Sequence, residues 1–91
     1  MTDSKSNKNI IEAALFASHD PLTLQELANL FENKKLSKNK IREIIEDLNK
    51  DYADRAFEVS MVASGYRIQI REGYDEWLSK LNNMPSNRYS L

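Results

Sequence analysis

The chain has 91 residues, and its 13 lysines and arginines are nearly balanced by 14 aspartates and glutamates. This length makes one small domain, and the near-neutral charge gives no strong field to attract polyanions or anionic membranes. The lack of cysteine excludes disulfides and thiolate metal sites, and no apolar run is long enough to span a bilayer. We therefore expect a cytoplasmic protein with no membrane partner.

The start of the chain predicts a tail and a first helix. Residues 1–8 are polar and predict a disordered tail. Helix 1 is predicted from about Asn9 to Ser18, and it ends because Pro21 disfavours helical geometry at the residue before it. The apolar side of this helix carries Ile10, Ile11, Ala14 and Leu15.

A second helix follows a short extended stub. Leu22 predicts one extended residue, as in the stub strand of many winged helices. Thr23 and Glu26 predict a capping box, in which the threonine side chain accepts from a free amide and the glutamate reaches back. Helix 2 is predicted from Leu24 to about Phe31. Its expected buried residues are Leu24, Leu27, Ala28, Leu30 and Phe31.

The third helix has the clearest pattern in the chain. Ser37 is the predicted N-cap, and the helix runs to about Ala53. Its apolar residues form a stripe that must be buried, at Ile41, Ile44, Ile45, Leu48 and Tyr52. The opposite face mixes acids with bases and carries Lys38, Arg42, Glu46, Asp47, Asn49 and Lys50.

Two alternating runs predict a β-hairpin. The strands are predicted at Phe57 to Ala63 and Tyr66 to Ile70, with Ser64-Gly65 as a two-residue loop in which glycine supplies an unusual backbone angle. This register places on one face the pairs Ala63–Tyr66, Met61–Ile68 and Val59–Ile70. On the other face it places Ser60–Gln69, Val62–Arg67 and Glu58–Arg71.

A fourth helix is predicted from Tyr74 to about Asn82, with Asp75 and Glu76 in its first turn, where the helix dipole favours acids. Residues 83–91 predict a linker or the start of a missing second domain. The order of three helices, a hairpin wing and a closing helix predicts an α+β winged helix-turn-helix domain over residues 9–82.

No catalytic, cofactor or metal site is predicted. His19 is the only histidine and lies at a predicted turn, which favours a surface or capping role. The carboxylates of helix 3 have spacings that could hold a hard cation, but bases share their surface, so we expect a solvated face. These carboxylates are Glu43, Glu46, Asp47 and Asp51. We expect no enzyme.

A DNA-binding transcription regulator is the alternative that the fold suggests. Such domains insert the second helix of the helix-turn-helix into the major groove and surround it with basic phosphate contacts. Acids and bases on helix 3 cancel, so direct DNA binding is expected to be weak at most. The residues assigned to a weak phosphate contact are Lys34, Lys35, Lys38 and Lys40.

Apolar and aromatic residues outside the expected core predict a partner interface. Tyrosine and tryptophan are enriched in interface hot spots, and Val62 faces out of the predicted sheet. For Trp77 and Leu78 the alternative is that they close the bottom of the domain. The predicted interface comprises Val62, Tyr66, Arg67, Tyr74 and Trp77.

Several of these segments resemble bacterial segregation and condensation protein B. The resemblance begins with residues 10–18 and 20–28, continues through 41–52 and 57–59, and ends with 62–69 and 74–78. It implies a non-enzymatic subunit whose members carry two winged-helix domains, the first for self-association and the second for clasping the kleisin subunit of the bacterial condensin.

The same resemblance implies a role in chromosome condensation and segregation, close to the nucleoid. The expected partners are a second copy of the chain and, in the full-length family member, the kleisin subunit and through it the SMC ATPase. The chain stops at Leu91, about where the family's second domain would begin. Self-association is therefore the role expected of this half.

Overall fold

The structure, a computed structural model, describes residues 6–31 and 36–81. Three helices lead into an antiparallel two-stranded hairpin and a fourth helix, which confirms the predicted order. Residues 1–5 of the predicted tail, the last residue of the predicted domain at position 82 and the predicted linker at 83–91 lie outside the described residues. The elements are α1 (Asn7–Ala17), α2 (Leu24–Ala28), α3 (Lys38–Asp51), β1 (Phe57–Val62), β2 (Gly65–Ile70) and α4 (Asp75–Leu78).

The helix starts follow from local capping. Ser6 accepts a hydrogen bond from the Asn9 amide, so α1 begins two residues earlier than predicted and takes in the end of the predicted tail. Thr23 and Glu26 form the predicted capping box, with bonds of 3.0 and 2.9 Å. Ser37 caps α3 as predicted, through the Lys40 amide.

The core is built around α3. All five residues of its apolar stripe are buried, none more than 8% exposed. They pack with Ile11 and Leu15 of α1, Leu27 of α2, and Val59 and Ile68 of the hairpin. One expected core position is wrong: α2 ends at Ala28, and Leu30 in the following turn is 45% exposed.

The predicted stub strand is present. Leu22 forms an isolated antiparallel bridge with Tyr66. The Leu22 amide donates to the Tyr66 carbonyl at 2.8 Å, and the Tyr66 amide donates back at 2.7 Å. This bridge attaches the connection between α1 and α2 to the outer edge of β2.

The predicted hairpin register is wrong by two residues. The observed pairs are Phe57–Ile70, Val59–Ile68 and Met61–Tyr66 on one face, and Glu58–Gln69, Ser60–Arg67 and Val62–Gly65 on the other. The loop is therefore Ala63-Ser64 rather than Ser64-Gly65. A shift of two residues keeps every side chain on its predicted face, since the side-chain period of a strand is two.

The glycine in the hairpin serves a different purpose from the one predicted. Ala63 carries the positive φ of the turn, at 55°. Gly65 is buried against the stub, and a Cβ there would lie 2.9 Å from Pro21 Cβ and 3.1 Å from the carbonyl carbon of Leu22. Gly65 is required because only hydrogen at this position allows β2 to approach the Leu22 backbone.

Arg71 ties the end of α3 to the base of the hairpin. Its guanidinium donates to the carbonyl oxygens of Arg55 and Tyr52, both at 3.0 Å. It also forms a 3.0 Å ion pair with Glu58, diagonally across the strands. The predicted attraction between Glu58 and Arg71 is thus present despite the shifted register. Together, the contacts of Arg71 place the base of the hairpin beside the C-terminal end of α3.

Replacing Gly65 with alanine is expected to lower the free energy of unfolding by about 1–3 kcal/mol, because the new methyl group overpacks against Pro21 and Leu22. Urea unfolding followed by circular dichroism measures the change. Ser64→Ala, in the exposed turn next to it, is the control and should change stability by less than about 0.5 kcal/mol. Equal stability of Gly65→Ala and Ser64→Ala would contradict the close approach.

Candidate interaction surface

The most exposed cluster of large apolar side chains in the described chain lies on and beside α4. Tyr74 is 39% exposed, Trp77 57% and Leu81 56%. The rings of Tyr74 and Trp77 are in contact, with centroids 6.4 Å apart and planes inclined by 52°. We call Tyr74, Trp77 and Leu81 the α4 patch.

The alternative in which this helix closes the core is wrong. α4 has four residues instead of the nine predicted, and none of them is buried. Trp77 and Leu81 face solvent, Leu78 is half-buried, and α4 makes few contacts with the other described elements. The bend before it contains Gly73 with a φ of 104°, a conformation that favours glycine.

The other three predicted interface residues lie nearer the turn of the hairpin. Val62, Tyr66 and Arg67 are all half-buried. The Tyr66 ring packs against the core cluster, and the Arg67 guanidinium donates to the His19 carbonyl at 3.0 Å. The side chains of Tyr66 and Arg67 therefore take part in the fold of the domain.

The predicted interface is split between the two ends of β2. Tyr66 lies next to the turn, whereas α4 follows the end where Ile70 pairs with Phe57. Tyr66 and Ile70 are four positions apart on the extended strand, a distance of about 13 Å. Tyr74 and Trp77 are the predicted interface residues that the structure brings together as an exposed pair.

An ion-pair network that the sequence patterns did not predict lies on the outer face of α3. Lys8 of α1 lies 2.9 Å from Asp47 and 2.6 Å from Asp51, atom Nζ to the carboxylate oxygen in each case. The carboxylates of Asp51 and Asp47 raise the pKa of Lys8. The hydrogen bond from Lys8 lowers the pKa of Asp47.

This network brings a cation to the acidic side of α3, and the face remains mixed in charge. Lys40 lies 3.8 Å from Glu43 on the next turn, while Lys38 is exposed. Both are residues of the predicted weak phosphate contact, and its other two, Lys34 and Lys35, lie outside the described residues. Paired charges on a helix that should enter a groove weaken phosphate attraction.

Tyr52 closes the inner side of α3. Its hydroxyl donates a hydrogen bond to the Glu12 carboxylate on α1. Burial, and secondly this hydrogen bond, hold the pKa of Tyr52 well above its usual range. The Tyr52 ring also lies 4.7 Å from that of Phe57, centroid to centroid. The contact is structural and joins α1, α3 and β1.

None of the described helices is long and apolar enough to cross a membrane. Within residues 6–31 and 36–81, no group of three or more acidic, histidine or cysteine side chains is arranged to hold a metal ion. His19 lies exposed in the bend after α1, where its carbonyl accepts from Arg67.

Comparison with known proteins gives a family match and a curated relative that agree with each other. Residues 9–91 match the family described as segregation and condensation complex subunit ScpB. The segregation and condensation protein B homolog of Coxiella burnetii is 43% identical over 84 residues, which cover 91% of this chain and 40% of that protein. The chain thus spans less than half the length of this curated relative.

Two solved structures share the fold. A dimer of the ScpB N-terminal domain complexed with ScpA peptide has a TM-score of 0.72 and 25% identity, covering 88% of this chain and 92% of that one. A conserved hypothetical protein from Chlorobium tepidum has a TM-score of 0.73 and 26% identity, covering 85% of this chain and 48% of that one. These matches confirm the predicted fold class.

The Lys8 ion pairs predict a pH-dependent contribution to stability. The lowered pKa of Asp47 stabilises the fold above the usual value of 3.8 and loses this effect as the pH falls through the folded pKa. The raised pKa of Lys8 stabilises the fold below 10.5 and loses this effect as the pH rises through the folded pKa. Lys8→Met should therefore be less stable than the parent between these limits, by a small amount because the pairs are exposed.

Thermal unfolding across this pH range at low salt measures the difference, which should shrink in high salt and disappear in strong acid. Lys80→Met is the control, because Lys80 has no carboxylate partner among the described residues. A Lys8→Met deficit that persists after the carboxylates are protonated would show that the ion pairs are not its cause.

Proposed function

The chain belongs to the family of the segregation and condensation complex subunit ScpB, the accessory subunit of the bacterial condensin, and we propose that it is a non-enzymatic protein-interaction and self-association module. In this proposal it acts within an SMC–kleisin complex in chromosome condensation and segregation. The exposed α4 patch carries the proposal, because it offers aromatic surface that the domain does not cover.

The proposed first partner is a second copy of the chain. The solved relative with 25% identity is a dimer of the corresponding domain. A symmetric dimer brings the same patch of each copy to a two-fold axis, so Trp77 of one copy would meet the α4 patch of the other. The charges beside the patch, Asp75 and Glu76, would lie at its rim and help to set orientation.

The proposed second partner is a segment of the kleisin subunit. The same solved relative carries an ScpA peptide. We propose a corresponding contact for this chain within its longer protein, with the SMC ATPase reached through the kleisin. The shared fold and the family membership support this proposal, and the α4 patch is assigned only to self-association.

The energetics favour a small number of anchors. Truncating a tryptophan or tyrosine at the centre of an interface typically costs about 2 kcal/mol or more of binding free energy. Trp77 and Tyr74 already contact each other in the single chain, so less side-chain freedom is lost when a partner covers them. Tyr66, by contrast, is engaged with the core, and its replacement would test folding rather than association.

Trp77→Ser is expected to weaken self-association by roughly 1000-fold, because each dimer loses the central anchor of both copies, about 4 kcal/mol at about 2 kcal/mol for each anchor. Light scattering coupled to size exclusion should give about twice the monomer mass of 10.6 kDa for the parent at micromolar concentration and the monomer mass for the variant. Circular dichroism checks that the fold is retained.

Leu30→Ser is the matched control, because Leu30 is an exposed apolar side chain in the turn after α2. It should leave the dimer intact. A monomeric parent at high concentration would count against self-association as a whole. Dissociation by Leu30→Ser together with an intact Trp77→Ser dimer would place the interface away from α4.

A further inference from the structure

The outer edge of β1 is the second surface at which this chain could meet another copy. Hydrogen-bonded and non-hydrogen-bonded pairs alternate along an antiparallel ladder. The Arg71 amide donates to the Ala56 carbonyl at 2.8 Å, so the next pair, Phe57–Ile70, is of the non-hydrogen-bonded kind. The backbone groups of Phe57, Val59 and Met61 therefore point away from β2, towards the open edge.

One side chain of α3 occupies the middle of that edge. Asn49 Nδ2 donates to the Val59 carbonyl at 3.0 Å, and the Val59 amide donates to Asn49 Oδ1 at 2.8 Å. The carboxamide thus offers one donor and one acceptor to a single residue, as a residue of a neighbouring strand would. The sequence pattern placed Asn49 on the solvent face of α3, but the structure places it half-buried against β1.

We propose that Asn49 closes the edge of β1 against strand pairing with a second copy of this chain. An incoming strand needs successive outward-facing residues two positions apart, and the carboxamide occupies the central one of the three. Met61, the next outward position, is 65% exposed and has no edge partner among the described residues. Without the Asn49 carboxamide, the outward backbone groups of Phe57, Val59 and Met61 would have no hydrogen-bond partner among the described residues.

The occupant of an opened edge is β1 of another copy. Antiparallel pairing of two identical edges is self-complementary about a two-fold axis and would extend the two hairpins into one sheet. The strand reads Phe-Glu-Val-Ser-Met-Val, with β-branched and aromatic residues and one charge. Such an edge is prone to association, and natural proteins block it by covering or interrupting its backbone groups.

This inference is independent of the α4 patch. Edge pairing would add a second mode of association to the proposed dimer, and two self-complementary surfaces on one chain generate open polymers when their two-fold axes do not close into a ring. Closing the edge therefore limits assembly to a closed dimer. The failure of one proposal leaves the other standing, because they concern different residues and different species.

The test is Asn49→Ala in the full 91-residue chain. At concentrations at which the variant is monomeric, hydrogen exchange of the Val59 amide should become at least about tenfold faster, because its hydrogen bond to Asn49 is lost. Sedimentation velocity should then show species larger than those of the parent, increasing with concentration. Leu15→Ala, a core truncation on α1 that leaves the edge untouched, controls for general destabilisation and should not form these species while folded.

A second substitution on the same edge identifies the surface. Met61→Pro removes an amide that points away from β2, so the ladder within the hairpin keeps its bonds. The double variant Asn49→Ala/Met61→Pro should return to the parent's mass distribution. If the proline variant does not fold, Asn49→Ala/Met61→Lys, which places a charge on the edge, is used for the same test.

Three results would overturn the proposal. The first is an Asn49→Ala chain with rapid Val59 exchange but the parent's mass. The second is equal assembly by Leu15→Ala in its folded state. The third is large species that persist in the folded double variants, because assembly would then not use the edge of β1.

Discussion

Burial of the apolar face of α3 is the constraint on which the rest of the structure depends. Ile41 and Leu48 are almost completely enclosed, and α1, α2 and the hairpin each pack against this helix. Tyr52 at its end cannot ionise readily, since it is buried and donates to Glu12. In a domain of this size one helix supplies much of the core. Apolar side chains that stay exposed away from this helix therefore do not contribute to the core, and their exposure needs another explanation.

The α4 patch is that uncovered surface. Arg71 and Glu58 connect the base of the hairpin to the end of α3. The chain then turns at Gly73 into α4, which has four residues, none of them buried. The same fold gives α3 an outer face on which acids and bases are paired. Exposed aromatic side chains, in a domain whose helix α3 is balanced in charge, favour a partner protein over a nucleic acid.

The sequence predicted well what depends on periodicity and local capping. The α3 stripe, the N-caps at Thr23 and Ser37, and the stub at Leu22 follow from spacing and side-chain chemistry, and each is confirmed. Alternation in the hairpin assigned the faces correctly. It could not set the register, because a shift of two residues gives the same pattern and the turn is formed by Ala63 rather than by glycine.

Contacts between distant segments could not be predicted in this way. The pairing of Lys8 with Asp47 requires α1 to lie across α3, and the bonds of Asn49 to Val59 require the hairpin to return to the same helix. In the sequence, Lys8, Asp47 and Asn49 look like ordinary polar surface residues. The α4 patch was visible only as an excess of aromatic residues, and whether Trp77 was core or surface depended on how far the last helix extends.

The fluorescence emission of Trp77, the only tryptophan of the chain, tests whether the α4 patch is the surface of self-association. This side chain is 57% exposed in the single chain and lies at the centre of the proposed dimer surface. Spectra and acrylamide quenching across a dilution series, with the mass measured in parallel, report its environment. If the α4 patch forms the dimer interface, the emission shifts to the blue and quenching falls as the dimer forms. A mass that doubles while the emission and quenching of Trp77 stay constant would contradict this assignment.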